Sequence, residues 1–306
     1  MARKQGKATI YLQYLAVRVV FLLLSSFPLK VSMGIGKGFA LLMMKTLKRL
    51  RKTAFRNLEI AFPEMSEAER SRLVRGTFES IGRHLGFVSH LPRMTAAEVH
   101  KNIEIVNPER IIDAYATGRG LVIFTAHFGS WELVHHLAGM HGYQLDIIVR
   151  PIDNPMIEGF VNRFRTKFGN QTIYKAKAAR TAIKLLLKKH AVGILTDLNS
   201  QPPDGIFVPF FGVEAATSSA AARLALSTDS LLLPVFMVWD EDKGKYVAYF
   251  ESWIESERSG NDEAEVRRLT EQITSLTEAY VRRFPEQWLW IHKRWNTRPE
   301  GEPGLY

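Results

Sequence analysis

The run of apolar and helical segments predicts an α/β fold. It should hold a mostly parallel or mixed sheet flanked by helices, with a membrane-associating helix at the N-terminus. Three observations carry this. After residue 60, short β-rich runs bounded by glycine alternate four times with helical periodicity, as in sheets covered by helices. One long apolar stretch lies within the first thirty residues. Residues 1–60 hold twelve basic side chains against one acid, Glu59, whereas the other 246 carry 29 basic and 30 acidic, so the net charge of +10 belongs to one end. We divide the 306 residues accordingly, with 1–60 a hydrophobic and basic anchoring segment and 61–306 a single catalytic domain.

From Tyr11 to Leu29 the only charge is Arg18, and the length approaches the roughly 20 residues that cross a bilayer. Arg18 and the following SSFPLKVSM argue against a cleaved signal peptide. A buried core helix is the alternative to an anchor, but KTLKRLRKTAFRN follows with Lys45, Lys48, Arg49, Lys52 and Arg56 at helical spacing, suited to anionic head groups. We expect no nucleic-acid partner, because the aromatic-rich stretches downstream are not basic and no binding signature for RNA or DNA is present. Beyond it, Ser66 with Glu69 three residues on reads as a capping box opening a helix, with Pro63 as a stop before it. GLVIFTAHFG (120–129) reads as a buried strand, and SWELVHHLAGMHG as a helix ending at Gly142. YQLDIIVRP repeats the strand signal, MIEGFVNRFRTKFG and ARTAIKLLLKKH the helical one, and AVGILTD (191–197) is the next strand. After a loop rich in Pro, Asp and Gly come IFVPFFG, a helix over TSSAAARLALSTD, the strand SLLLPVFMVWD and an antiparallel strand KYVAYFESWI. ESERSGNDEAEV reads as a surface loop, and VRRLTEQITSLTEAYVRRF closes the domain as an amphipathic helix.

Composition removes several chemistries. With no cysteine there is no disulfide, thiolate nucleophile, Cys-ligated zinc or iron–sulfur cluster. GxSxG, GxxxxGK[ST] and HExxH are absent. Gly34, Gly36 and Gly38 form GIGKG without a preceding strand, which favours helix packing over a dinucleotide loop. His127, His135, His136 and His141 match no recurring zinc spacing, so no metal is expected.

What remains is Ala126-His127-Phe128-Gly129-Ser130-Trp131-Glu132. His127 ends a strand where substrate can reach it, Gly129 permits a tight turn, and Glu132 falls in the first helical turn. A carboxylate on Nδ1 would leave Nε2 as a base, and the spacing makes Glu132 the candidate to supply it. With no protein nucleophile nearby, a substrate hydroxyl would be the nucleophile. The competing reading is that His127 caps the turn and Glu132 complements the helix dipole.

HFGSWE after an apolar strand resembles the H-x4-[DE] motif of the glycerolipid and lysophospholipid acyltransferase superfamily. RNLEIAFPEMSEAER, VRPIDNPMIEGFVNRFRTKFG, TDLNSQPPDGIFVPFFGVEAAT and FPEQWLWIHKRWNTRPEG extend the likeness to its lipid A late-acyltransferase branch over nearly the whole chain. TDLNS departs from the branch, where Asp is usually followed by Gln or His. The resemblance implies a glycerolipid-acyltransferase-like domain. Its reaction would be transfer of a fatty acyl chain, without an acyl-enzyme, from an acyl carrier protein or CoA thioester to a hydroxyl of a phosphorylated glycolipid acceptor, a lipid A precursor. No cofactor is needed beyond the thioester co-substrate, and the place of action would be the cytoplasmic face of a bacterial inner membrane. Five basic residues follow the apolar stretch closely (Lys30, Lys37, Lys45, Lys48, Arg49) against three before it (Arg3, Lys4, Lys7), which agrees with that side. His127 would be the base and Glu132 its orienter. Arg150, Asn154 and Arg165 match the acceptor or phosphate-binding part, with Asp197, Gly205, Phe207, Phe210 and Gly212 beside it as substrate-binding residues. Trp288, Trp290, His292 and Trp295 read as structural or interfacial. The alternatives are another acceptor, such as a phosphatidylinositol mannoside, or a lipid-binding membrane protein without turnover.

Overall fold

The computed structural model describes residues 6–140, 144–174, 178–257 and 260–306, with backbone alone over 138–140. Arg3, Lys4 and His141 therefore lie outside the described residues. Helices α1 (Lys7–Ser25), α2 (Leu29–Thr46), α3 (Lys48–Ala61) and α4 (Glu67–Val88) come first. Pro28 separates α1 from α2, as its missing N–H and fixed φ favour a helix start over continuation. The Ser66–Glu69 capping box opens α4 as the sequence predicts. Gly36 of α2 faces Gly82 and Gly86 of α4, and a Cβ at any of the three would collide with the opposing backbone, so the two helices meet almost backbone to backbone. Gly34 and Gly38 of the same GIGKG run meet nothing and only line the outer face.

A seven-stranded mixed sheet forms the centre, in the order β1 (Ile103–Val106), β9 (Lys245–Phe250), β8 (Leu231–Asp240), β2 (Leu121–Thr125), β5 (Ala191–Leu195), β3 (Leu145–Val149), β4 (Gln171–Tyr174). Pairing is parallel throughout except between β8 and β9. Helices α5 (Ala96–Lys101), α6 (Glu109–Ala116), α7 (Val134–Met140), α8 (Pro155–Arg165), α9 (Ala178–Leu187), α10 (Ala220–Thr228) and α11 (Asp262–Arg283) complete the flanking layers, and β6 (Gly205–Phe210) and β7 (Val213–Ser218) form a separate antiparallel hairpin. Successive β2 residues feed two cores: Leu121 and Ile123 join one face with Leu145, Phe160 and Phe164, while Val122 and Phe124 join the other with Phe210, Trp288, Trp290 and Trp295. Residue 60 is not a structural break, since α3 runs through it and buries Ala54 and Leu58 in the second core.

Several boundaries differ from the sequence reading. The helix read over 217–229 starts only at Ala220, because Thr217 and Ser218 end β7 opposite Ile206 and Gly205. The loop read over 255–266 gives way at Asp262 to α11, whose N-cap Asn261 accepts from the Ala264 N–H. Trp131–Leu133 form a 3₁₀ turn before α7. The elements α5, β1, α6 and β4 were not foreseen; each is eight residues or shorter, and β1 and β4 are the half-exposed edges of the sheet.

Candidate active site

His127 and Asp197 meet because two parallel strands end in register. Thr125 of β2 pairs with Leu195 of β5, so residues two positions beyond each strand stand side by side at the carboxyl edge of the sheet. The chain then turns sharply at Gly129, whose φ of +52° and contact with the Met237 carbonyl leave no room for a Cβ. The segment after α11 closes over this turn. Leu289 N–H donates to the His127 carbonyl at 3.1 Å, and Gly129 N–H to the Gln287 carbonyl at 3.0 Å.

Asp197 is buried and accepts three N–H groups. Its Oδ1 takes His127 Nδ1–H at 2.9 Å; its Oδ2 takes the His127 backbone N–H at 2.9 Å and Trp288 Nε1–H at 2.8 Å. Burial pushes this carboxyl up, but the facing imidazole, the hydrogen bonds from His127 and the Trp288 N–H together hold it below the usual range. A carboxylate surrounded by donors requires the hydrogen of His127 to sit on Nδ1. The lone pair is then on Nε2, which has no hydrogen-bond partner among the described residues, on a side chain 16% exposed.

Glu132 does not occupy the place expected for it. Its carboxylate is gripped by both arms of the Arg165 guanidinium, with Nε to Oε2 at 2.9 Å and Nη2 to Oε1, in a pair whose side chains are 12% and 13% exposed. Burial would raise Glu132, but Arg165 keeps it below the ordinary carboxylate range, and the arginine is held up in return. The orienter of His127 in this structure is thus Asp197, placed by strand register, and Glu132 and Arg165 satisfy each other. The Arg165 fork, expected to meet an acceptor phosphate, faces Glu132 here.

Other expected site residues are placed differently. Asn154 caps α8, its Oδ1 accepting from Met156 and Ile157 N–H, and its Nδ2 donates to α1. Arg150 is 80% exposed beside Asp153. Gly205 opens β6, Phe207 is half-buried in the hairpin, and Gly212 takes a φ of +73° at its tip. Phe210 is core, its ring 5.5 Å from Trp288 and 5.6 Å from Trp295. Trp288, Trp290 and Trp295 are buried as read. His292 accepts from Asn199 N–H through Nε2 at 3.3 Å, with burial lowering its pKa.

Two neighbours went unread. His84 of α4 stacks on Trp131, ring centroids 4.4 Å apart, and its Nδ1 lies 2.9 Å from Ser130 Oγ; burial pushes it down to about 4. Trp131 in turn lies 5.1 Å from the His127 ring. Beside them opens a small apolar cleft lined by Ile123, Leu145, Ile147, Val149, Ile194 and Leu195 together with Trp131, Glu132 and Arg165. Among the described residues no group of His, Asp and Glu is arranged to hold a metal.

A histidine paired with a buried carboxylate thus stands at the carboxyl edge of the sheet, next to Trp131 of the apolar cleft. The profile of the family described as bacterial lipid A biosynthesis acyltransferase matches residues 2–297. The chain is 32% identical over 298 residues to the lipid A biosynthesis lauroyltransferase of Escherichia coli strain K12, covering 97% of this chain and 95% of that one. It is 28% identical to the palmitoleoyltransferase of lipid A biosynthesis from the same organism (91% and 89% covered) and 23% identical to the myristoyltransferase (83% and 78%). A solved structure, the 1-acyl-sn-glycerophosphate (LPA) acyltransferase of Thermotoga maritima, aligns with a TM-score of 0.39 at 14% identity, over 85% of this chain and 99% of that one. The chain belongs to the bacterial lipid A biosynthesis acyltransferase family.

Proposed function

We propose that this O-acyltransferase moves a fatty acyl chain from a thioester, carried by acyl carrier protein or CoA, directly to a hydroxyl of a phosphorylated lipid A precursor. The observation that carries the mechanism is the His127–Asp197 pair with Nε2 open. Nε2 takes the proton of the acceptor hydroxyl as its oxygen attacks the thioester carbonyl, and the resulting imidazolium is stabilised by Asp197. The C–S bond breaks, and the departing thiolate receives the proton back. No acyl-enzyme forms, because the base acts on the substrate and no protein nucleophile is needed. The alkyl chain would enter the apolar cleft, whose Trp131 neighbours His127 and whose lining includes the Glu132–Arg165 pair.

The same reading places the enzyme on the cytoplasmic face of the inner membrane. Helix α1 is 19 residues long with a mean hydropathy of 1.7, and only 6% of it is buried. Tyr11, Leu12, Leu15, Val19, Leu22 and Leu23 are exposed, and Arg18, the charge in mid-stretch, is exposed too but bends back to lie 5.0 Å from the Phe160 ring and bond Tyr14. The charge therefore sits at the border of the outer apolar face, drawn towards the domain by Phe160 and Tyr14. A helix packed lengthwise on the domain, with its other side apolar, favours lying in the interface over crossing it. The test is turnover of the purified full-length chain with each thioester and a lipid A precursor, followed by intact-mass analysis after donor alone. Transfer with no mass adduct on the protein is expected; a stable acyl adduct would overturn the direct mechanism.

A further inference from the structure

Asn154 belongs to two structures at once. Its Oδ1 caps the N-terminus of α8, accepting from Met156 N–H at 3.0 Å and Ile157 N–H at 3.2 Å. Its Nδ2 donates outward to α1, to the Ile10 carbonyl at 2.8 Å and to Gln13 Oε1 at 3.0 Å. The side chain is buried, and both functional ends of the amide are used. Farther along, the two helices stay in contact. Phe21 meets Phe160 edge to face at 5.0 Å and stacks near Phe164 at 6.3 Å, and Arg18 covers Phe160. Helix α8 ends at Arg165, which grips Glu132 beside the cleft. Eleven residues of helix, about 16 Å long at 1.5 Å per residue, thus connect the contact with α1 to the rim of the site.

We propose that Asn154 is a positioning residue for acyl transfer. By fastening α1 to the start of α8 it fixes where the far end of that helix holds Arg165 against Glu132, so seating of the apolar N-terminal helix is coupled to turnover. The proposal rests on the acyl-transfer reading of the His127 site. A cap alone needs only an acceptor at this position; Asp or Ser would serve as well. The amide is required for the second task, since only a donor can bond the Ile10 carbonyl. A helix whose N-terminus is unfastened from its neighbour can pivot, and a shift of about 1 Å at a positioned group is enough to slow a reaction substantially.

The experiment exploits that division. Asn154→Asp keeps the cap and suits the helix dipole, but places a carboxylate against the Ile10 carbonyl, while Gln13 can turn its amide to donate. Full-length variants would be assayed in vesicles of phosphatidylethanolamine and phosphatidylglycerol, with thermal unfolding recorded in parallel. We expect Asn154→Asp to lower turnover roughly five- to twentyfold, the scale of one or two lost hydrogen bonds, and to lower Tm as well, because the new carboxylate is buried against the Ile10 carbonyl. Gln13→Ala, on an exposed residue that threatens no fold, should lower it about two- to fivefold. The double variant Asn154→Asp/Gln13→Ala should be no slower than Asn154→Asp alone, and Asn154→Asp combined with Glu132→Gln should lose less than the product of the single effects. A merely structural residue would lower Tm too but would leave these couplings at zero, so the couplings and not Tm decide. Wild-type turnover in Asn154→Asp, or full multiplication of its loss with that of Glu132→Gln, would overturn the coupling. His127→Ala serves as the control: if it is inactive while Asn154→Asp is unimpaired, the coupling alone fails, whereas if His127→Ala keeps full turnover the acyl-transfer reading fails and the coupling with it.

Discussion

Replacing Asp197 by Asn separates the two carboxylates that could serve His127. In the native site one carboxylate accepts three N–H groups. An amide has one oxygen, so one of its two ends must present NH₂. If NH₂ faces the backbone N–H and the Trp288 N–H, two donors oppose it; if it faces Nδ1, only one does, and that conflict vanishes when the imidazole moves its hydrogen to Nε2. The second arrangement therefore wins, and it removes the lone pair that takes the proton. The loss of charge also withdraws the stabilisation of the imidazolium. Turnover should fall roughly 10²- to 10⁴-fold, the usual range for a general base. Glu132→Gln leaves all three of these hydrogen bonds in place and should cost far less. The assay is single-turnover acyl transfer at saturating acceptor, with folding checked by thermal unfolding. An Asp197→Asn enzyme within threefold of wild type, or one faster than Glu132→Gln, would refute the assignment of Asp197 as the orienter.

Other expectations follow from the same contacts. Arg165→Ala leaves a buried carboxylate unpaired, so it should destabilise the fold by about 3 kcal/mol in chemical denaturation, more than Glu132→Gln; equal stability in the two would show that the pair is not buried in solution. Acid should act before the carboxylates titrate. His84 and His135 are pushed by burial to about 4 and about 3 from 6.5, so below pH 6.5 the unfolded chain binds protons that the folded one refuses, and Tm should decline from there down. Asp197 and Glu132, held low, add stability above the ordinary carboxylate range that is lost as pH falls through their depressed values; a flat Tm between pH 7 and 5 would contradict the buried neutral histidines. High salt should leave the full-length protein on membranes while detergent releases it, and removal of residues 1–30 should ease extraction, leaving salt-sensitive binding through the basic run at 45–57. Recovery of the full-length protein in the soluble fraction at ordinary salt would contradict the anchor.

What could be read without coordinates was local. GLVIFTAHFG announces a buried strand that ends on His127, and Ser66 with Glu69 announces the start of α4, because neighbours in sequence decide both. The partner of His127 depends on something else: the register of β2 against β5, which brings together residues seventy positions apart. The spacing of Glu132 from His127 made a local pairing plausible, but Arg165, 33 residues on, outcompetes an imidazole for a carboxylate because it offers two parallel charged donors. One arithmetic clue was available. AVGILTD and LVIFTAH are both buried runs, and if they pair in parallel, Asp197 and His127 fall at equal distances beyond them. For Asn154 the sequence suggests a ligand contact, since nothing in it shows that the amide reaches across to Ile10 and Gln13. The edges β1 and β4 escaped because four half-exposed residues carry too little apolar pattern to stand out.

The most direct test of the account is mass spectrometry of a purified lipid A precursor after incubation with a fatty acyl thioester and the full-length protein, run beside His127→Ala of equal thermal stability. The account expects the precursor to gain the mass of one acyl chain with the wild-type enzyme and to gain it at least a hundredfold more slowly with His127→Ala. Equal acylation by the two proteins would contradict it.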